Sequence, residues 1–375
     1  MYLFLLIIFL ISYGSLYPFD FVQLANESAD LKTLFKTWGS YTHQGDILAN
    51  LILFIPFGII GTRVIEDKFN QFMGISIILL FGLCFSIILQ VGQIYLPSRD
   101  ANLSDAVLNF IGTIIGVFIA VSLNTKESLI AVAKPHLNSF PILLLFSWFA
   151  YRLMPFIPSI DWQEIKNGVK PIFLFSTWEL SRIFHDATAW LIVFYILCRH
   201  MRKKLPIIYF SRLILLCFTL EIIIVNNTVS LSNVVGAILA LVSWWAFFSY
   251  LTNISAWLAI MLLITLFVSG FSPYQLSAST QTMQLIPFYG FLAGSMLVNT
   301  ASLLEKFFLY GALVWLLQNL GLKLWAAILI TVSVTSCIEF GQIFLVGHLA
   351  EITDPLLVIL IGLLIGTVDK TVGKH

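Results

Sequence analysis

Long, uninterrupted apolar stretches run through the chain, and they constrain its fold more than any other feature. A helix needs about 20 apolar residues to cross a hydrocarbon core of roughly 30 Å. Continuous runs favour helices over barrel strands, which alternate in polarity and are about 10 residues long. The sequence therefore predicts an all-α integral membrane protein with about twelve transmembrane helices. The candidate spans lie near residues 3–17, 46–62, 72–95, 104–123, 138–155, 180–198, 206–226, 230–251, 253–270, 303–320, 322–346 and 352–368.

Composition supports this class and narrows the kinds of partner. Apolar residues make up 59% of the 375 and charged residues 10%, whereas soluble domains carry about 25% charged residues. The formal net charge is +1, so no nucleic-acid partner is expected. The four cysteines lie in or beside apolar runs without metal-ligand spacing, and we expect neither a metal nor a cofactor.

Basic residues are distributed unevenly between the two sides of the predicted membrane protein. With twelve spans both termini share a side, and the short loops there carry most of the Lys and Arg, including the run 199–204. The positive-inside rule makes that side cytoplasmic. The opposite loops, which include Arg99, are therefore expected outside, and membrane lipids are the expected surroundings.

The sequence repeats itself at a long period. Residues 92–96 read GQIYL and residues 341–345 read GQIFL, and the same offset pairs Gln90 with Glu339 and Asp105 with Asp354. A second marker, Leu-X-Pro-Phe, occurs at 16–19, 153–156 and 285–288, where each copy is expected to end a helix. We predict three four-helix units, 1–127, 128–252 and 253–375, of which the middle one is degenerate.

Polar side chains recur at the outer ends of the predicted spans. Within a helix, offsets of three and four place such side chains on one face, and in hydrocarbon they are costly unless they meet each other or water. We predict a shared polar pocket just below the outer surface, with helix packing and capping, for example by Ser104, as the open alternative. The candidate pocket residues are Asp46, Asn50, Gln90, Gln93, Arg99, Asp105 and Asn109 in the first unit and Glu339, Gln342, His348 and Asp354 in the third.

Two further groups of charged residues are interpreted from spacing alone. Arg182 and Asp186 are four apart on one predicted helix, which favours an ion pair between them. Glu305 and Lys306 are placed at the outer start of the helix near 303–320.

The polar pattern of the first unit resembles the VanZ-like family. The stretches that carry the resemblance are Asp46–Gly58 (DILANLILFIPFG), Gln90-Val-Gly-Gln93, Pro97-Ser-Arg99, and Asp105 through Asn109 to Gly112 and Gly116. It covers roughly residues 1–125, with a weaker echo at 339–366. The family pattern has Glu where this chain has Gln90, and Glu339 supplies that acid in the third unit.

The resemblance implies a cell-envelope protein of the bacterial cytoplasmic membrane. The family is linked to low-level resistance to teicoplanin, a glycopeptide antibiotic that binds cell-wall precursors. The first functional hypothesis is therefore a multi-pass protein that binds or screens a cell-envelope molecule, such as a lipid-linked or cell-wall precursor. A membrane-embedded enzyme acting on a polyprenyl-phosphate substrate and a transporter remain alternatives, and no catalytic residue is singled out.

Overall fold

The regular secondary structure is helical over the part that the computed structural model describes, which is residues 2–22, 44–66, 69–99, 101–122, 140–159, 161–173, 179–201, 205–277, 280–293 and 296–372. Within these ranges there are fourteen α-helices and no strand. They are α1 (Tyr2–Leu16), α2 (Gln44–Glu66), α3 (Gln71–Ile94), α4 (Leu103–Ser122), α5 (Phe140–Leu153), α6 (Trp162–Val169), α7 (Leu180–His200), α8 (Ile207–Ile223), α9 (Leu231–Ala246), α10 (Ile254–Phe271), α11 (Tyr289–Ala293), α12 (Met296–Asn319), α13 (Leu324–Gln342) and α14 (Thr353–Val372).

Each of the twelve predicted spans coincides with one of these helices. Among the described residues, seven helices are long and apolar enough to cross a membrane, namely α3, α4, α7, α9, α10, α12 and α13. Helices α1, α5 and α14 hold shorter apolar segments. The protein is thus a multi-pass helical membrane protein. A full count of twelve crossings stays a prediction.

The structure corrects two details of the helix assignment. The short helices α6 and α11 were not predicted, because each is too short to give an apolar run. The helix α12 begins at Met296 rather than near residue 303, so Glu305 and Lys306 lie in its third turn and not at its start.

The first of two compact units spans Met1–His136. Its core is aromatic, with Phe54 and Phe57 fully buried and ring centroids 5.8 Å apart. Helices α2 and α4 approach unusually closely, since a Cβ atom at Gly112 would lie 2.3 Å from the carbonyl oxygen of Leu51. Gly116 makes the same approach to Ile55, again at 2.3 Å. Small residues at such contacts are the usual means of packing helices in lipid.

The second compact unit spans Leu137–His375 and contains α5 to α14. In it α5 packs on α12, and α7 packs on both α9 and α10. The core holds Trp148, Trp190, Phe194 and Phe210, each almost fully buried. The predicted boundary at residue 252 falls inside this unit, and the division into three four-helix units stays a prediction.

Candidate functional site

Three helices end in the same kind of turn. Helices α1, α5 and α10 are each followed by a cis X-Pro bond, at Pro18, Pro155 and Pro273. The residue after the proline has a φ between 61° and 65° in all three turns. Its backbone N–H donates to the carbonyl of the third residue before it: Phe19 to Leu16 at 2.9 Å, Phe156 to Leu153 at 2.8 Å and Tyr274 to Phe271 at 2.7 Å.

The third turn lies elsewhere than the sequence predicted. Residues 285–288 were expected to end a helix, but α10 already ends at Phe271 and no helix runs into that segment. The turn at Ser272-Pro273-Tyr274 has the hydrogen bond of the other two. The Pro-Phe pair at 287–288 serves a different contact, in which the Phe288 N–H donates to Thr353 Oγ1 at 2.8 Å.

The segment after each turn pairs with the end of a later helix. In every case the residue four positions after the proline donates its backbone N–H to a carbonyl at or just beyond the end of α3, α8 or α13. The pairs are Val22 to Tyr95 at 3.0 Å, Ser159 to Ile223 at 2.8 Å and Ser277 to Phe344 at 2.8 Å. One local architecture thus occurs three times along the chain.

Two predicted pocket residues of the first unit bind the end of α1. Gln93 Nε2 donates to the carbonyl of Ser15 at 2.9 Å, and Arg99 Nε donates to that of Tyr17 at 2.9 Å. Carbonyls in the last turn of a helix lack intrahelical partners, so both side chains cap α1. Burial lowers the pKa of Arg99 from its ordinary value, against the opposing effects of Tyr17 and Asp20.

The equivalent residues at the end of α13 and in the loop after it do the same for α10. Gln342 Nε2 donates to the carbonyl of Gly270 at 2.8 Å, and His348 Nε2 contacts that of Ser272 at 2.5 Å. In the middle segment Asn227 Nδ2 donates to the carbonyl of Arg152 at 2.8 Å. Ser15, Arg152 and Gly270 each stand three residues before the turn proline. Helix capping therefore explains the contacts of Gln93, Arg99, Gln342 and His348.

Gln90 and Glu339 share a second kind of contact. Gln90 Oε1 accepts the backbone N–H of Asn102 at 2.9 Å, and Glu339 Oε2 accepts that of Glu351 at 2.7 Å, each twelve residues on. Both side chains are 3% exposed. Asn102, and not Ser104, caps α4, because Asn102 Oδ1 accepts the Ser104 N–H at 2.9 Å. The offset that relates the two sequence stretches thus also relates their hydrogen bonds.

Asp105 and Asn109 lie on the first two turns of α4, facing inward. Asn109 is 3% exposed, and its Oδ1 atom accepts no hydrogen bond within the described residues. Asn50 is half-buried on α2, which packs on α4. Asp46 lies in the first turn of α2, but its side chain is outside the described part of the structure. An acceptor buried without a donor costs about 1–3 kcal/mol. A ligand group that donates a hydrogen bond to Asn109 Oδ1 would remove this cost.

Asp354, which corresponds to Asp105 in the sequence, is held by partners of its own. Asp354 at the start of α14 accepts Lys306 Nζ at 2.6 Å and the Tyr310 hydroxyl at 2.5 Å. Glu339 also lies against Asp354. The cluster joins α12, α13 and α14, and Tyr310 was not foreseen from the sequence.

Helices α5, α7 and α8 contribute to a buried charge cluster that was not predicted from the sequence. Arg152 donates through Nε and Nη2 to Glu221, the latter at 3.3 Å, and through Nη1 to Asp186 at 3.1 Å. Asn233 donates to the other Asp186 oxygen at 2.6 Å. All three charged residues are at most 9% exposed. In a sequence, such a cluster is indicated by ionisable residues of opposite charge that lie inside apolar helices, because each of them needs a partner there.

The predicted ion pair between Arg182 and Asp186 is wrong. Arg182 instead lies 3.7 Å from Glu179, in a pair whose side chains are more than half exposed. Asp186 is 4% exposed and pairs with Arg152 at 3.1 Å, because a carboxylate that is buried without a counter-charge is costly and Arg152 is buried beside it.

No curated protein and no solved structure matches the chain. The family model described as VanZ/LLP1 does match, over residues 1–124, which confirms the resemblance carried by the polar residues of the first unit. Helices α1 to α4 are the VanZ-like part of this membrane protein.

Proposed function

We propose that the first unit binds the polar part of a cell-envelope molecule at the outer face of a bacterial cytoplasmic membrane. The binding residues are Asp46, Asn50, Asp105 and Asn109, which α2 and α4 carry. Gln90, through Asn102, fixes the start of α4. Gln93 and Arg99 act as positioning residues that hold the end of α1.

The observation that carries the proposal is the buried Asn109 Oδ1 atom, which accepts no hydrogen bond among the described residues. It sits one helical turn from Asp105, and its offset of three places it on the same side of α4 as Gly112, which contacts Leu51 of α2. A ligand hydroxyl or amine would satisfy it. The VanZ/LLP1 match covers the same helices, which supports a role in the cell envelope.

The close approach of α2 and α4 supports a formed site. Gly58, Gly112 and Gly116 bring the two backbones together, and bulkier residues there would separate them. Side chains on rigid, closely packed helices lose little freedom on binding, which preserves affinity. We place this site on the outer side of the membrane because the loops on the opposite side carry the excess of Lys and Arg. By this proposal the bound molecule is a cell-wall or lipid-linked precursor, and its screening underlies resistance to a glycopeptide.

Asn109→Ala is expected to abolish any protection that the full chain gives a susceptible host against teicoplanin. Removal of the amide deletes the acceptor for the ligand. Because the Asn109 side chain is buried, its loss also leaves a small cavity, so the amount of protein is measured together with protection. Protection is measured as the change in inhibitory concentration, with membrane levels followed by immunoblot. The matched control is Asn253→Ala, at an exposed position without a side-chain cap bond.

Full protection by Asn109→Ala at normal membrane level would contradict the proposal. If Asn109→Ala lowers the amount of protein in the membrane, Asn109→Asp is the second variant. It keeps the shape of the side chain and an oxygen that accepts a hydrogen bond. A host that gains no protection from the wild-type chain would exclude the resistance role.

A further inference from the structure

The short helix α6 is amphipathic and too short to cross a membrane. Trp162, Ile165 and Val169 are three and four residues apart, which places them on one side of the helix. Gln163 and Asn167 lie on another side, where Gln163 Nε2 donates to Asn167 Oδ1 at 3.3 Å in an exposed hydrogen bond. Helix α6 thus has one apolar side and one polar side.

The loop between α8 and α9 holds α6 in place. A Cβ atom at Gly168 would lie 3.2 Å from the carbonyl oxygen of Asn227, so the two backbones are in close contact. The carbonyl of Gly168 also accepts the Val229 N–H at 2.9 Å. Helix α9, which is long and apolar enough to cross a membrane, begins shortly afterwards at Leu231. Helix α6 therefore lies beside the end of a spanning helix.

Exposed aromatic side chains follow the three cis-proline turns. The residue after the proline is Phe19, Phe156 or Tyr274, and each of them is exposed. Aromatic residues are enriched where a membrane meets water, so each turn marks a boundary of the bilayer. Helix α6 begins a few residues after Phe156, and Ser159 between them donates to the carbonyl of Ile223 at the end of α8. This pairing keeps the start of α6 at the boundary.

Two aromatic side chains of this region are largely exposed. They are Trp162, at 67%, and Phe173, at 76%, which ends a 3₁₀ turn that follows α6 over Lys170–Phe173. The ammonium nitrogen of Lys166 lies 5.8 Å from the centroid of the Trp162 ring. A lysine in such a position can keep its charge among polar groups while its stem lies along apolar surface.

We propose that α6 and the 3₁₀ turn lie in the plane of the lipid headgroups, with Trp162 and Phe173 inserted into the upper acyl region. The partner is a phospholipid surface, because helix α8 beside α6 already exposes apolar side chains such as Leu215. Helices with one apolar and one polar side bind membranes in this way. Lys166 then lies at the depth of the lipid phosphates, and Asn167 faces water.

The experiment measures the depth of single spin labels on the full chain, without its four native cysteines, in phospholipid vesicles. The labelled variants are Phe173→Cys, Asn167→Cys on the polar side of α6, and Leu215→Cys as the reference for lipid. Collisions of the label with oxygen, which dissolves in lipid, are compared with collisions with a water-soluble nickel complex. We expect the oxygen-to-nickel ratio to be several-fold higher for Phe173→Cys than for Asn167→Cys, and to approach that of Leu215→Cys.

Equal ratios for Phe173→Cys and Asn167→Cys would overturn the proposal, because both sides of the segment would then face the same medium. Low accessibility of Phe173→Cys to both reagents would also overturn it, since a second copy or another protein would then cover the helix. A second measurement keeps the native cysteines and serves if a labelled chain does not fold. The emission that is lost in Trp162→Phe should be quenched by lipids brominated near the headgroup end of their acyl chains. Quenching of that emission by aqueous iodide alone would show that Trp162 is not inserted.

Discussion

Arg152→Leu is expected to leave almost no folded protein. The guanidinium of Arg152 binds both Glu221 and Asp186 in a site with at most 9% exposure, and it lies 5.2 and 5.3 Å from the rings of Trp148 and Trp190. Its loss leaves two buried carboxylates without a counter-charge, and breaking a buried pair costs about 3–5 kcal/mol. The cluster joins α5, α7 and α8, so the damage extends through the second unit. The measurement is the yield of monodisperse protein in size-exclusion chromatography, together with its thermal midpoint.

Two comparisons make this result specific to the buried charges. Arg182→Leu removes an exposed arginine from the same region and should leave the yield close to wild type, because surface pairs contribute about 0–1 kcal/mol. Neutralising the partners in Arg152→Leu/Asp186→Asn/Glu221→Gln should restore part of the yield, since no charge is then left unpaired. Equal yields of Arg152→Leu and Arg182→Leu would show that the cluster does not stabilise the fold.

Gly112→Ala adds a single methyl group, but it is expected to destabilise the first unit strongly. The new Cβ atom would lie 2.3 Å from the Leu51 carbonyl oxygen and 3.1 Å from Phe54 Cβ. Because the nearest atom belongs to the backbone, α2 and α4 must move apart to admit a methyl group. Overpacking of this kind costs about 1–3 kcal/mol, and a backbone contact favours the upper end. The shift moves Asn50 away from Asn109, so protection against teicoplanin should fall as well.

Gly74→Ala is the matched control within the same unit. The nearest atom to its added Cβ is Ile65 Cγ2 at 3.3 Å, a side-chain methyl group that needs to move by only a few tenths of an ångström. Alanine favours a helix over glycine by about 1 kcal/mol, so this variant should be neutral or slightly more stable in thermal unfolding. Equal midpoints for Gly112→Ala and Gly74→Ala would contradict the close packing of α2 on α4.

Features that depend on short-range pattern could be predicted from the sequence. The helices followed from apolar runs because lipid requires backbone groups to bond within each segment. The offset that pairs Gln90 with Glu339 in the sequence also relates their hydrogen bonds in the structure, because the acceptor and donor are twelve residues apart in both. The VanZ-like match followed from residues that are close in sequence.

Features that depend on distant partners could not be predicted. Arg152 lies 34 residues from Asp186 and 69 from Glu221, so no spacing rule pairs them. Arg182 was preferred as the partner of Asp186 because helical offsets are visible in a sequence and tertiary contacts are not. The Pro-Phe pair at 287–288 was misleading for a similar reason. Its residue types match those of the other two turns, but the equivalent backbone hydrogen bond is made by Tyr274.

The capping roles of Gln93, Arg99, Gln342 and His348 change the interpretation of the predicted pocket. These side chains donate to carbonyls at the ends of α1 and α10. They stabilise the outer turns, and we assign ligand binding in the first unit to α2 and α4. The recurrence of the same contacts around Pro18, Pro155 and Pro273 supports our proposal of three four-helix units.

An extracytoplasmic polar site requires that the loops that follow α3, α8 and α13 all lie on the outer side of the membrane. Single cysteines at the exposed positions Ser98, Thr228 and Val346, in a chain without its four native cysteines, can be tested on intact cells with a membrane-impermeant maleimide. We expect all three to be labelled from outside, and cysteines at Asn70 and Met201 to be labelled only after the membrane is opened. Labelling of Ser98 and Val346 from opposite sides, or protection of all three on intact cells, would contradict an extracytoplasmic polar site.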